Sequence, residues 1–204
     1  MVKETELCVT RREEIISACA ELYKTKNFKD VTIKEIGKIT PFTRTSIYNY
    51  FHTKEEIFLA LLQKEYEIWI EELNKIIDDN KSLSKEKFAD KLAKTLENRE
   101  QLLKIMSMNH FEMELTSREE NLIEFKKVYG ESLRTVKKCL DKFFVDMTER
   151  DKENFLYIFF PFVYGIYPYT AVSEKQNKAM AAAGTNFKIH SIYEIAYNCI
   201  MKLL

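Results

Sequence analysis

Apolar residues recur at helical spacing along most of this 204-residue chain. They fall three or four positions apart, as on one face of a helix, and the alternation that marks a strand competes nowhere. The pattern therefore predicts an all-α protein. One helix is predicted to end near Lys26, a second to run from Thr53 to about Ile77, and a third to begin at Leu83 or Ser84. Further helices are predicted over Leu102–Leu115, after Thr116 or Ser117, from Thr148 or Asp151, and from about Phe187.

Helix starts are marked by three capping-box sequences, in which a threonine is followed three residues later by a glutamate. They are Thr10–Glu13, Thr32–Glu35 and Thr53–Glu56. The threonine oxygen accepts a hydrogen bond from a backbone N–H in the first turn, and the glutamate reaches back to the threonine N–H. We expect helices to begin at these positions. The polar, alanine-rich segment Ser173–Asn186 around Gly184 predicts a loop.

The segment Thr32–Leu62 contains three helical stretches with short breaks. Isoleucines at every third position from Ile33 to Ile39 mark the first. Pro41 ends it, because proline disfavours the α conformation in the preceding residue. Thr43–Tyr50 can form the second, and Thr53 opens the third. Two short helices joined by a tight turn form a helix-turn-helix, whose second helix can enter a DNA major groove.

The second of these helices has an unusual composition, because only Ile47 is a clear core residue. The guanidinium of Arg44 suits a guanine edge, the amide of Asn49 suits adenine, and the hydroxyls suit phosphates. Lys54 lies at the start of the next helix, where free N–H groups favour an anion. The alternative is a polar face that only meets solvent. The capping pattern and the spacing of the aromatic residues from Lys54 favour DNA contact.

This stretch resembles the helix-turn-helix of the TetR family of bacterial transcriptional regulators, over about the first quarter of the chain. Two positions depart from the family pattern, which often has glycine where Pro41 and Asn27 stand. The resemblance is carried by Ile36-Gly37, Thr43, Ser46-Ile47-Tyr48, Phe51 and Lys54-Glu55-Glu56.

The resemblance implies a homodimeric repressor that binds a palindromic operator in double-stranded DNA and responds to a small, mostly apolar effector. It implies a DNA-binding helix-turn-helix domain at residues 1–52 and a helical ligand-binding and dimerisation domain at residues 53–204. It implies base contacts from Thr43, Arg44, Thr45 and Asn49, and phosphate contacts from Thr32, Ser46, Tyr48, Tyr50 and Lys54. It implies no cofactor.

Charge changes this picture little. The chain carries 32 Lys or Arg and 32 Asp or Glu, but the basic residues outnumber the acidic ones between Lys24 and Lys54. Such a local surplus suits a polyanion, although ordinary surfaces often carry one.

The remaining composition indicates a cytoplasmic protein. The N-terminus has no apolar stretch typical of a signal peptide. The segment Phe155–Ser173 has no charged residue, but its two prolines and its tyrosines favour a helix buried in the fold or at an interface over a membrane span. The cysteines are scattered, as free thiols in a reducing cytosol would be: Cys8, Cys19, Cys139 and Cys199.

Aromatic and methionine side chains are frequent after Tyr66, and such residues usually pack a core. Members of the family often bind a small molecule among these helices, and adaptable methionines suit that role. Both interpretations stay open. The candidates for lining a ligand cavity are Trp69, Met106, Met108, Phe111, Met113, Phe125, Tyr129, Phe159, Phe162, Tyr164 and Tyr167.

The C-terminal helix is apolar over most of its circumference and therefore needs cover on two sides. Its own domain supplies one side, and a second copy of the chain most simply supplies the other. We expect a dimer interface formed by Phe160, Tyr164, Ile189, Ile192, Tyr193, Ala196 and Ile200.

Other classes of function find little support. His110 and Glu114 stand one helical turn apart, but no third ligand is evident, so no metal site is predicted. Glycines occur only at positions 37, 130, 165 and 184, which excludes a glycine-rich phosphate loop. The alternatives are a helix-turn-helix dimer without an effector and, more remotely, an enzyme with an unrecognised site or a single-span membrane protein.

Overall fold

The computed structural model describes residues 2–107, 110–185 and 188–204, with side chains from residue 10 onward except that of residue 110. These residues form helices and no strand, which confirms the all-α fold. The predicted cavity residue Met108 and the predicted helix start at Phe187 lie outside them. The helices are α1 (Val2–Thr25), α2 (Ile33–Lys38), α3 (Arg44–Tyr48), α4 (Lys54–Asp79), α5 (Lys85–Glu97), α6 (Glu100–Ser107), α7 (His110–Thr116), α8 (Glu119–Phe143), α9 (Glu149–Thr170), α10 (Glu174–Ala182) and α11 (Ile192–Leu203).

The chain divides into two compact units. The first consists of Met1–Tyr66 and Met108–Tyr129, and the second of Glu67–Ser107 and Gly130–Leu204. Helices α4 and α8 therefore contribute residues to both units. The first unit is larger than the DNA-binding domain predicted at residues 1–52, because it includes α7 and the first half of α8.

The first unit is built on a layer of side chains from α1 to α4. The ring of Phe58 lies 5.0 Å from that of Tyr23 and 4.5 Å from that of Phe28, between ring centroids. Close packing of this kind fixes the short helices α2 and α3, which are too short to be stable alone. Fully or almost fully buried in this layer are Ile15, Ile16, Cys19, Tyr23, Phe28, Ile33, Ile36, Ile47, Phe51, Ile57 and Phe58.

The second unit is held by helix pairs α5–α11, α9–α11 and α6–α9. Trp69 is fully buried there, and its Nε1–H donates to Thr95 Oγ1 at 2.9 Å. Thr95 in turn donates to the carbonyl of Leu92 at 2.8 Å. The indole also meets the Phe160 ring edge-on at 5.9 Å. A buried tryptophan with its one donor satisfied is a core residue that stabilises this unit.

The predicted start of the first helix at Thr10 is wrong, because α1 begins at Val2. The residues before Thr10 include no proline or glycine and contain good helix formers, so the helix extends upstream of the capping sequence. Glu13 does not complete a capping box. Its carboxylate forms an ion pair with Lys64 at 2.7 Å.

The predicted loop at Ser173–Asn186 is also wrong, because it contains α10. Ser173 and Gln176 form a reciprocal capping box, alanines favour the helix, and Gly184 ends it with φ +67°. The N–H of Thr185 reaches the carbonyl of Met180 at 2.9 Å, as in a Schellman motif. The capping residues, the alanines and the glycine that favour this helix are all visible in the sequence.

Three other helix starts differ in outcome. Thr148 caps α9 as predicted, in a capping box with Asp151. The last helix begins at Ile192, after a Ser191–Glu194 capping box, and not near Phe187. The predicted cap of α8 by Thr116 or Ser117 is wrong. Thr116 Oγ1 donates to the carbonyl of Glu112, within the preceding helix.

Among the described residues, no single helix is long and apolar enough to cross a membrane. Helices α9 and α10, bent by 84° at the break between them, meet that criterion of length and composition only as a pair.

Candidate DNA-binding interface

Helix α3 is held in place by its cap and by one buried side chain. Thr43 precedes it in an extended conformation, and its Oγ1 accepts the N–H of Ser46 at 3.2 Å. The Oγ atoms of Thr43 and Ser46 are also 2.9 Å apart. Ile47 is fully buried beneath the helix. Because Ile47 occupies the inward position, the polar residues on either side of it must face outward.

The predicted base-contacting residues all lie on the exposed side. Thr43, Arg44, Thr45 and Asn49 are exposed, as is Tyr48, whereas Ser46 and Tyr50 are half-buried. The Nη2 of Arg44 donates to Tyr48 Oη at 3.0 Å, and its guanidinium lies 5.5 Å from the centre of the Tyr48 ring. This contact between positions i and i+4 restricts the arginine to one side of the helix.

A surface groove of about 450 Å³ runs beside α3. It brings together four predicted contact residues, Thr32, Arg44, Tyr48 and Lys54. Lys34 and His52 line the same groove and were not predicted. Their positions follow from the turn geometry on either side of α3, which residue type alone does not indicate.

Lys54 is only partly directed at this groove. Its Nζ donates to the carbonyl of Phe28 at 3.0 Å and lies 4.2 Å from the centre of the Phe28 ring. An ammonium group has three donors, so two remain for another acceptor. The predicted phosphate contact remains a prediction, and the contact with Phe28 adds a structural role.

Two of the predicted capping boxes are only half formed. Thr32 Oγ1 accepts the N–H of Glu35 at 3.2 Å, and Thr53 Oγ1 accepts that of Glu56 at 3.2 Å. The Glu35 carboxylate, however, accepts hydrogen bonds from Lys26 at 2.8 Å and Lys38 at 2.6 Å. These bonds lower the pKa of Glu35 to about 2. The glutamates therefore join neighbouring elements instead of closing their own caps.

Glu56 is the most consequential residue that sequence reasoning missed. It is 1% exposed, and its Oε2 accepts the N–H of His52 at 2.7 Å. Arg118 donates to Oε1 from Nε at 2.7 Å and to Oε2 from Nη2 at 3.1 Å. Burial opposes ionisation, but the bonds from Arg118 and from the His52 and Arg118 N–H groups keep the pKa of Glu56 below its usual value. A separation of 62 residues hides this pair from any local pattern.

The predicted pocket residues are divided between the two units. Trp69, Met106 and Phe159 are buried in the second unit, where Phe162 and Tyr167 are half-buried. Phe111, Phe125 and Tyr129 belong to the first unit. There, Phe111 is 75% exposed, Phe125 is fully buried and Tyr129 is half-buried.

The second unit also has a surface groove of about 630 Å³, and none of the predicted pocket residues lines it. Its apolar wall includes Phe143, Phe144 and Ile158, and its charged rim includes Lys85, Asp146, Asp151 and Lys202.

Three predicted dimer-interface residues are core residues of the single chain. Phe160, Ala196 and Ile200 are at most 2% exposed, because they pack between α9, α11 and their neighbours. Their side chains are covered within the single chain, so an interface formed by them stays a prediction. Tyr164, Ile192 and Tyr193 are half-buried, and Ile189 is 45% exposed. The Tyr193 hydroxyl donates to Asp90 Oδ1 at 2.8 Å.

Within the described residues, no group of three His, Cys, Asp or Glu side chains is placed to bind a metal ion. The side chain of His110, the proposed partner of Glu114, is not among those described.

Similarity to solved structures covers almost the whole chain. A fatty acid degradation regulator FadR from Bacillus halodurans is 14% identical, covers 95% of this chain and 94% of that one, and has a TM-score of 0.62. FadR from Bacillus subtilis, solved in complex with stearoyl-CoA, is 15% identical over 94% of this chain and 96% of that one, with a TM-score of 0.59. At these identities the likeness shows the fold alone.

Similarity in sequence links the chain to one curated relative and to two family models. The uncharacterized HTH-type transcriptional regulator YdgC of Bacillus subtilis is 37% identical over 54 residues, which are 26% of this chain and 28% of that protein. Residues 15–61 match the model of bacterial regulatory proteins of the tetR family. Residues 63–190 match that of the tetracyclin repressor-like C-terminal domain. With both matches spanning most of its length and the helix-turn-helix in place, this chain belongs to the TetR family of bacterial transcriptional regulators.

Proposed function

We propose that the chain is a repressor that binds a palindromic operator as a homodimer and releases it when a small, mostly apolar molecule binds the second unit. The observation that carries the proposal is helix α3, which buries Ile47 alone and exposes a guanidinium, an amide and several hydroxyls. Those groups match base edges and phosphate oxygens.

In this proposal α3 lies in the major groove. Thr43, Arg44, Thr45 and Asn49 contact bases, while Thr32, Ser46, Tyr48, Tyr50 and Lys54 contact phosphates. Arg44 donates one N–H to the Tyr48 oxygen, so its other N–H groups remain for a guanine edge, and the Tyr48 O–H remains to donate to a phosphate oxygen. The pair can thus supply one base contact and one backbone contact.

The second copy binds across α9 and the start of α11. Helix α9 exposes Tyr157 by 80%, Ile158 by 52% and Tyr169 by 59%, and Ile189 is exposed by 45%. Exposed apolar side chains along one helix are typical of a protein–protein interface. A stable homodimer of this class buries on the order of 2,000 Å² or more. A two-fold axis then gives the operator its palindromic symmetry.

The effector is proposed to bind within the second unit. The apolar wall of the groove at Phe143, Phe144 and Ile158 suits a mostly apolar molecule, and the mixed charges at its rim favour neither sign. FadR from Bacillus subtilis, a structure of the same fold, was solved in complex with stearoyl-CoA, which supports a ligand for this fold.

A second candidate function is a helix-turn-helix dimer that has no small-molecule effector. It is favoured by Trp69, Met106 and Phe159, which were predicted to line a cavity and are packed with at most 2% exposure. A regulator of this kind would take its signal from another source.

Coupling between effector and operator needs only a modest preference. A ligand that binds the DNA-incompetent state about 100-fold more tightly supplies about 2.7 kcal/mol of coupling. Helices α4 and α8, which contribute residues to both units, are the elements through which such a preference can act. Linkage requires operator DNA to weaken ligand binding by the same factor.

The test is selection of DNA from a random pool with the purified protein. We expect two inverted half-sites whose centres are separated by about one helical turn, or a multiple of it. In Lys54→Ala, the slope of log affinity against log salt should fall by about 0.9 per subunit. Lys178→Ala, an exposed change in α10, is the control. Recovery of no enriched sequence, or of sites without symmetry, contradicts the proposal.

A further inference from the structure

The junction between α7 and α8 is hydrogen-bonded to the turn that follows α3. Arg118, the residue before α8, donates from Nη2 to the carbonyl of Tyr50 at 3.2 Å. The same guanidinium holds Glu56 through two bonds, and the Arg118 N–H donates to Glu56 Oε1 at 3.1 Å. We call Arg118, Glu56 and the Tyr50 carbonyl the Arg118 clamp. All three belong to the first unit.

We propose that Arg118 is a positioning residue for operator recognition, and that movement of the α7–α8 junction is transmitted to α3 through the Arg118 clamp. This inference rests on the proposed DNA binding by α3. It assigns a role to a residue that lies outside the helix-turn-helix and was not among the predicted site residues.

The clamp fixes both sides of the short turn between α3 and α4. On one side Arg118 holds the carbonyl of Tyr50, and on the other Glu56 accepts the N–H of His52 at 2.7 Å. Between them, Phe51 is 1% exposed beneath the guanidinium of Arg12, 5.3 Å from the ring centre. A backbone turn held at three successive residues leaves the C-terminal end of α3 little freedom to tilt.

The bonds of the clamp are of a strong kind. Bonds between a guanidinium and a carboxylate are charge-assisted, and the planar fork of arginine gives them a fixed direction. Glu56 is almost fully buried, so it cannot exchange Arg118 for water without a change in its surroundings. A surface ion pair of the same length would impose much less order.

The clamp lies beside a cavity that has room for water. Glu56 lines a cavity of about 340 Å³ together with polar groups of Arg12, Gln63 and Asn121. That space exceeds what a single water molecule needs, and its polar walls can hold several. A carboxylate released by Arg118 would be hydrated there, which lowers the cost of opening the clamp.

The positive charge of Arg118 is neutralised by neighbouring carboxylates. Its Nη1 lies 3.6 Å from Glu120 Oε1, while Nε and Nη2 are committed to Glu56 and Tyr50. With two carboxylates against one guanidinium, the cluster is not cationic. The effect of Arg118 on DNA should therefore operate through the position of α3, and a direct phosphate contact is not expected.

The experiment compares Arg118→Met and Arg118→Lys with a matched control, Arg99→Met. Arg99 pairs with Glu72 in the second unit through Nη2 at 2.7 Å and Nε at 3.4 Å, a two-bond contact of the same type. Affinity of the folded protein is measured for the selected operator and for random DNA, each over a range of salt. Exchange of the His52 amide hydrogen is followed in parallel.

We expect Arg118→Met to weaken operator binding about 10- to 100-fold, with random-DNA affinity and salt slope unchanged. Arg118→Lys keeps the charge but cannot reach Glu56 and Tyr50 in the same fork, so it should restore little. Exchange at His52 should accelerate in both variants. Arg99→Met should change none of these quantities. A role of Arg118 in stability alone would not alter the ratio of operator affinity to random-DNA affinity.

Three results would overturn the proposal. One is operator affinity unchanged in both Arg118 variants. Another is a salt slope reduced by about one with operator and random DNA weakened equally, which would make Arg118 a phosphate contact. The third is an unchanged exchange rate at His52. If the parent protein selects no operator, the proposed function fails, while accelerated exchange at His52 would still establish the clamp as a structural link.

Discussion

Helices α3 and α9 each leave one face exposed, and the two faces differ in chemistry. Helix α3 has five residues and buries only Ile47, while its other side chains offer hydrogen-bonding groups. Helix α9 has 22 residues and buries Phe155, Phe159 and Val163, while it exposes Tyr157 and other apolar groups on a charge-free stretch. An exposed polar face suits a hydrated polyanion, and an exposed apolar face suits a protein surface.

The two helices also differ in the residues that shape their backbones. Thr43 caps α3 and supplies order that a helix of five residues cannot supply by itself. Pro161 and Pro168 stand inside α9, on exposed positions. A proline has no N–H, so the helical bonds to the carbonyls of Tyr157 and Tyr164 cannot form. Exposure alone therefore does not identify a binding partner, whereas the chemistry of the exposed groups does.

The largest expected effect is on the face of α9. Tyr157→Asp places a charge at the centre of the proposed interface, and its desolvation should weaken dimerisation by about 3 kcal/mol or more. Folding should be unaffected, because Tyr157 is 80% exposed in the single chain. Sedimentation over a range of concentrations measures the change. Lys178→Asp in α10 is the control for added negative charge, and a parent protein that is monomeric at micromolar concentration would refute the interface.

The next effect separates the buried side of α3 from its exposed side. Ile47→Ala removes a fully buried side chain and should reduce the free energy of unfolding by about 2–5 kcal/mol. Thr45→Ala, two positions away and exposed, should change stability by less than about 0.5 kcal/mol. Urea unfolding gives both values. Equal losses in the two variants would mean that the two sides of α3 are not distinct.

The fold and the short helix α3 could be predicted because their signals are local. The spacing of Ile33, Ile36 and Ile47 and the caps at Thr32 and Thr43 act within a few residues of the helices that they define. The family match adds the assignment of function to the same short stretch. Local sequence rules therefore predict where these helices begin, but not the contacts that they make with distant residues.

What could not be predicted depends on contacts between distant residues. Arg118 pairs with Glu56 across 62 positions of the sequence, and Lys64 pairs with Glu13 across 51 positions. The apolar periodicity of α11 shows that Ala196 and Ile200 are on apolar faces, but it does not say whether the cover is α5 or a second copy. The wrong prediction of a loop at α10 has a different cause. The capping box and the alanines are local signals in the sequence that favour a helix, but the loop was predicted from the polar composition of the segment.

A smaller effect tests the exposed side of α3 directly. Arg44→Ala should weaken operator binding by about 1–3 kcal/mol and relax the preference at one base position. Stability should remain within about 0.5 kcal/mol, because Arg44 is exposed and its contact with Tyr48 lies on the surface. Arg44→Lys keeps the charge and loses the fork, so it should recover random-DNA affinity but not base preference. If Arg44→Lys binds the operator as the parent does, Arg44 contacts only phosphate.

The smallest effect concerns Gly37, a residue of the family pattern that has neither an exposed functional group nor a steric need for its small size. The Cβ of an alanine there would lie 3.7 Å from Ile47 Cδ1 and 3.7 Å from the Phe42 carbonyl oxygen, which is ordinary contact. Its backbone does not require glycine, since among the glycines only Gly184 has a positive φ, at 67°. Gly37→Ala should therefore stabilise the first unit by about 0.5–1 kcal/mol, through reduced freedom of the unfolded chain. Gly184→Ala is the matched control and should destabilise α10, because an L side chain is strained at that φ. Urea unfolding measures both changes, and operator affinity should be unchanged in Gly37→Ala. A loss of operator affinity without a loss of stability would show that α2 needs a freedom at Gly37 that its contacts do not reveal, and would extend the proposed DNA-responsive part of the first unit to α2.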